Sequence, residues 1–180
     1  MEAEILLWIQ ENLRMSGLNS LMRGITHLGD FGIVWVLAAI LLLLYPERRR
    51  VGYMVMAGML ISYLFNNLFL KSIVARTRPY EVIEGLELLV GKAKDFSFPS
   101  GHSATSFVAA VIIAGMLPKR YGVMAVVLAA LISFSRLYVG IHYPTDVLFG
   151  IVSGSLIGMG VVIFAKHWQG RAAIKSSQEA

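Results

Sequence analysis

Three short blocks of this sequence hold the side chains of a phosphate-handling site: Lys71–Pro79 (KSIVARTRP), Pro99–His102 (PSGH) and Ser135–Asp146 (SRLYVGIHYPTD). Lys71, Arg78 and Arg136 offer fixed positive charge, His102 and His142 offer imidazoles, and Asp146 offers a carboxylate. Cations of this kind bind phosphate oxygens, and an imidazole oriented by a carboxylate can accept a phosphoryl group covalently.

Each block has a chemical reading and a plain one. Lys71 and Arg78 lie seven residues apart, two helical turns, so a continuing helix would put them on one face. Pro79 forbids that continuation and pushes Arg78 out of helical geometry. The expectation is a Lys at a helix end with an Arg folding back toward it. Lys supplies a point charge and Arg a planar fork for two phosphate oxygens. An interfacial anchor cluster explains Lys71, Arg76 and Arg78 equally, and Arg76 keeps that reading.

In the second block, Gly101 permits close backbone approach, and the first amides of a helix starting there point at an anion. Ser100 adds a hydroxyl, and His102 can protonate a leaving oxygen near neutral pH. The plain alternative is a turn and helix cap. In the third block, Pro144 suits a first helical turn and places Asp146 in it, four residues after His142. Asp146 can then fix the His142 tautomer and leave the other nitrogen free to attack. A capping Asp beside a surface His is the alternative. Two histidines and an aspartate also make a metal-ligand set. Three surrounding cations repel a divalent ion and attract phosphate, so neither a metal nor another cofactor is expected.

The elements that position these blocks are apolar. Of 180 residues 57% are hydrophobic, and the mean hydropathy is +0.68, which implies a single integral-membrane domain over residues 1–180. With no cysteine, disulfide and thiol chemistry are excluded. The net charge of +5 forms no basic stripe, which argues against nucleic-acid binding. Five apolar runs, Phe31–Tyr45, Val51–Lys71, Ser103–Leu117, Tyr121–Leu137 and Val147–Lys166, read as spans. Several fall below the roughly 20 residues that a bilayer asks for. Their continuity, without alternation, specifies helices, so the fold class is an all-α polytopic membrane bundle.

Residues 1–30 read as an amphipathic segment in the interface, 31–166 as the bundle with the active site, and 167–180 as a cytoplasmic tail frayed from Ser176. The acidic start does not resemble a signal peptide. The competing reading of the N-terminal region is one long helix, Leu18–Tyr45, bent near Gly29-Asp30. Arg48–Arg50, Lys119 with Arg120, and Lys166, Arg171 and Lys175 lie in alternate loops and the tail, which the positive-inside rule makes cytoplasmic. The three blocks then share the extracytoplasmic face of a cell membrane. Val82, Ile83, Leu86 and Leu88–Val90 suit a short helix over the entrance. Asn66 and Asn67 suit interhelical hydrogen bonds.

Taken together, K-x6-R-P, P-S-G-H and S-R-x5-H-x3-D resemble the signature of the type 2 phosphatidic acid phosphatase superfamily, in its membrane lipid-phosphatase branch. The blocks directly cover the middle of the chain. The resemblance implies a metal-independent hydrolase with His142 as nucleophile, forming a phosphohistidine, and Asp146 orienting it. It implies His102 as general acid and then base, with Lys71, Arg78, Arg136, Ser100 and the Gly101 amide holding phosphate. Ser135 matches the pattern without an expected contact. Many membrane members carry six spans, where five are read here. A lipid phosphate substrate and contact with membrane lipids follow. Undecaprenyl diphosphate and phosphatidylglycerol phosphate lead, and phosphatidic acid or a broad range of lipid phosphates is the alternative. A transporter using the buried charges is the rival of another class, although no paired interrupted spans support it.

Overall fold

The computed structural model describes the backbone of residues 1–178 and the side chains of residues 1–169. Every regular element among the described residues is helical. The side chains of Arg171 and Lys175 and residues 179–180 lie outside that range. The tail expected to fray from Ser176 continues the last helix to Gln178.

The N-terminal segment forms two helices, α1 (Glu2–Leu13) and α2 (Ser16–Leu28). Glu2 and Glu4 sit in the first turn of α1, where a carboxylate suits the helix dipole. Leu6 and Ile9 are buried, whereas Ile5 and Trp8 stay exposed. A tight turn, Asp30–Gly32, with Phe31 at φ 53° and Gly32 at φ 67°, leads into α3 (Ile33–Leu44) at a bend of 52°. The break falls where both readings of this region placed it. At 12 residues, α3 reaches spanning length only together with α2.

A Pro46 turn starts the next element. Here α4 (Arg49–Ser62) widens into a π-helical stretch, Tyr63–Leu70, and closes as α5 (Lys71–Val74). Ala75 at φ 47° ends it, and Arg78 is extended, as Pro79 demands. The short α6 (Pro79–Val82) follows. Then come α7 (Gly101–Met116), α8 (Lys119–Tyr138) and α9 (Pro144–Gln178). Among the described residues three helical stretches, Pro46–Val82, Lys119–Tyr138 and Pro144–Gln169, are long and apolar enough to cross a membrane, and the bent α2–α3 pair, taken as one span, makes a fourth.

Helix α7 is the centre of the bundle, packed against α4, α8 and α9. Ala104, Val108, Ala109 and Ile112 on it are fully buried. In lipid, close packing rather than water exclusion holds helices together, and small residues allow it. Gly150, Gly154 and Gly158 of α9 face the backbone of α7 at Ser100, Ala104 and Val108. A Cβ on Gly154 would run into the Ala104 carbonyl. This seam fixes His102, at the start of α7, relative to Asp146, at the start of α9. Asn66 makes its expected interhelical bond, accepting from Ser153 Oγ at 2.9 Å. Asn67 instead packs against Gly101.

One expectation is corrected. The apolar run after Val82 forms no helix beyond Pro79–Val82. Gly85 turns at φ 80°, and Leu89 donates its N–H to the Val139 carbonyl at 3.1 Å. Leu88, Leu89 and Val90 pack in irregular conformation on Tyr138, Val139 and Ile141.

Candidate active site

The ends of α5, α7, α8 and α9 converge on a cavity of about 940 Å³. Lys71, Arg78, Gly101, His102, Arg136 and His142 line it. Residues separated by up to 71 positions in the sequence therefore share one concave space.

The third block behaves as its spacing requires. Gly140 turns the chain out of α8, and Pro144 starts α9. His142 and Asp146 are both buried, and His142 Nδ1 lies 3.4 Å from Asp146 Oδ2. That separation is long for a hydrogen bond. Burial pushes the His142 pKa down to about 3, and the nearby Arg136 and Arg78 charges add to it against the pull of Asp146. His142 is therefore neutral at pH 7, the form with a free lone pair.

Asp146 is fixed from several sides. Its Oδ2 accepts from Ser97 Oγ at 2.5 Å and from the Tyr143 N–H at 3.0 Å. Its Oδ1 accepts from Arg76 Nη1 at 2.7 Å. Arg76 stacks over the Tyr143 ring at 3.7 Å and pairs with Glu2 at 2.6 Å. Glu2 also accepts from the Thr145 hydroxyl, so α1 braces the start of α9. Arg76 is thus not a free interfacial anchor, which corrects the reading it kept in the sequence.

The cations line the same cavity. Lys71 Nζ and Arg78 Nη2 bind the two oxygens of Asp95 at 2.7 and 2.6 Å. Arg78 also donates to the carbonyls of Asp95, Phe96 and Ile141, which locks its plane. Burial raises the Asp95 pKa, but the Lys71 bond and charge and the Arg78 charge outweigh it and hold the group at about 2. Arg136 Nη1 donates to Thr26 at 2.6 Å, while its buried Nε has no partner among the described residues.

In the second block, Ser100 caps α7 as the plain alternative had it: its Oγ accepts from the Ser103 N–H at 3.4 Å, and also from Ser103 Oγ at 3.0 Å. The Ser100 hydroxyl does not line the cavity, whereas Gly101 does. Ser135 donates to the Ile132 carbonyl, away from the site. His102 reaches the cavity with its Nε2 2.9 Å from Asp30 Oδ1. Among the described residues no three His, Cys, Asp or Glu side chains converge to hold a metal ion.

The sequence missed Asp30, Arg76, Asp95 and Ser97. Asp95 and Ser97 precede PSGH within five residues, a weak signal of proximity. Asp30 and Arg76 carried none, since their partners lie about 70 positions away.

The chain is similar to proteins of known activity. An undecaprenyl-diphosphatase of Sulfolobus acidocaldarius is 32% identical over 146 residues, covering 80% of this chain and 69% of the relative. Phosphatidylglycerophosphatase B of Bacillus subtilis is 32% identical over 157 residues, covering 81% of this chain and 74% of the relative. A crystal structure of a transmembrane PAP2 type phosphatidylglycerolphosphate phosphatase from Bacillus subtilis superposes with a TM-score of 0.76 at 30% identity, covering 92% of this chain and 85% of that one. Residues 50–172, which contain all three blocks and the cavity wall they build, match the PAP2 superfamily, and the chain belongs to it.

Proposed function

We propose that this chain hydrolyses a lipid phosphomonoester or diphosphate at the cavity through a phosphohistidine on His142. The observation that carries the reading is a buried His142 beside Asp146, lining one cavity with Lys71, Arg78 and Arg136. With Nδ1 turned to Asp146, Nε2 attacks phosphorus. The bond to the leaving oxygen breaks, and His102 gives that oxygen its proton. His102 then takes a proton from water, the water oxygen attacks phosphorus, and the N–P bond breaks to release phosphate. The three cations and the Gly101 amide stabilise the charge that builds on the equatorial oxygens, which is usually the largest catalytic contribution.

The bundle sets the substrate class. The cavity opens among apolar side chains of α4, including Met56, Met59 and Leu60, which suit an acyl or prenyl tail. Relatives named for undecaprenyl diphosphate and phosphatidylglycerol phosphate make these the first substrates to try. Phosphatidic acid and related lipid phosphates are the alternative. The site faces the extracytoplasmic side, and the tail is cytoplasmic.

Phosphate release from a panel of these lipids, measured on the detergent-purified chain, tests the reading. The wild type releases phosphate from at least one lipid in the presence of EDTA, and His142→Ala falls to background while its thermal midpoint holds. Near-normal turnover by the folded variant would sink the nucleophile assignment, and an EDTA loss restored by magnesium would revive a metal mechanism.

A further inference from the structure

The geometry points to Asp30 as the residue that positions His102 for proton transfer, making a second His–Asp pair across the cavity from His142–Asp146. This rests on the reading of His102 as general acid. Asp30 lies outside residues 50–172, so the N-terminal segment supplies it.

Four observations carry it. Asp30 Oδ1 lies 2.9 Å from His102 Nε2, and its Oδ2 lies 2.7 Å from His27 Nδ1. The carboxylate is thus held from both oxygens, in the turn where α2 bends into α3. The His102 ring packs on Gly29, where a Cβ would lie 2.5 Å from its Cδ2, so a larger residue at position 29 would displace the ring. Asp30, His102, Lys71 and Arg136 all line the same cavity. Burial and the Arg136 and Lys71 charges push the His102 pKa down to about 4, and the bond and charge of Asp30 oppose them.

The proton balance is simple. With Nε2 committed to Asp30, Nδ1 of His102 gives its proton to the leaving oxygen as the P–O bond breaks. It regains one from water in the second step. Asp30 remains ionised throughout and acts only through His102.

The dependence of kcat/KM on leaving-group pKa, over a series of soluble aryl phosphates and a short-chain alkyl phosphate, separates this role from a structural one. Loss of acid assistance hurts poor leaving groups and spares good ones. Asp30→Asn in the full chain should therefore lose about ten- to a hundredfold on the alkyl phosphate while p-nitrophenyl phosphate stays within about threefold. His102→Ala should steepen the same plot, and Asp30→Glu should restore part of the wild-type slope. A uniform loss across the series, or no loss, overturns the proposal while leaving His102 in place. An unchanged slope in His102→Ala fails the general-acid reading itself and takes the proposal with it. Asp30→Ser gives the same readout should the amide variant not fold.

Discussion

Asp146 shows how many neighbours can hold one buried carboxylate in place. Four donors, from Ser97, Tyr143, Arg76 and His142, converge on its two oxygens. A carboxylate so held cannot turn with the imidazole, so the imidazole must align with it. Ser97 gives the shortest of these bonds, at 2.5 Å. A hydrogen bond to a charged group contributes roughly 1.5–3 kcal/mol. Ser97→Ala should therefore lower kcat by about ten- to a hundredfold with KM little changed, since Ser97 does not line the cavity. Steady-state kinetics on one lipid substrate measure both constants, and a rise in KM alone would show that Ser97 serves binding instead. The His142–Asp146 pairing was legible because four residues is one helical turn. Ser97 and Arg76 were not, because nothing local marks a side chain whose partner lies 49 or 70 positions away.

At the scale of elements, helices were readable and irregular segments were not. Continuous apolar runs specify helices in lipid, and Pro79 and Pro144 marked the turns beside the site. The π-helical stretch Tyr63–Leu70 leaves no compositional trace, although it sets the register that delivers Lys71 to the cavity. The segment after Val82 had a helix-like apolar pattern that Gly85 and the pairing with Val139 override. That segment brings Asp95 between Lys71 and Arg78, where its carboxylate takes the donors proposed for phosphate. Asp95 is half exposed, so a phosphoryl group can displace it toward water. Asp95→Asn removes the competing charge and leaves both cations less compensated. The variant should bind orthovanadate severalfold more tightly, read as a lower inhibition constant, provided that the cation wall keeps its shape. Weaker inhibition would mean that Asp95 holds the cations in place for the substrate.

Across the whole molecule, charge separates by end. Arg48 stacks on Tyr121 at 5.4 Å, and Arg50 donates to the Ala165 carbonyl at 2.6 Å, so the basic loops at α3–α4 and α7–α8 and the last helix gather at one end. The site occupies the other, where Lys71, Arg76 and Arg78 are each paired with a carboxylate. Under the positive-inside rule this distribution supports the proposed extracytoplasmic site. The absence of cysteine makes this directly measurable, because one introduced thiol is the only one present. Lys94 and Lys119 are exposed at opposite ends and lie outside the proposed chemistry. Lys94→Cys should react with a membrane-impermeant maleimide in intact cells. Lys119→Cys should react only after permeabilisation. The reverse pattern would turn the site to the cytoplasm, and the substrate would then have to reach the cavity from the inner leaflet.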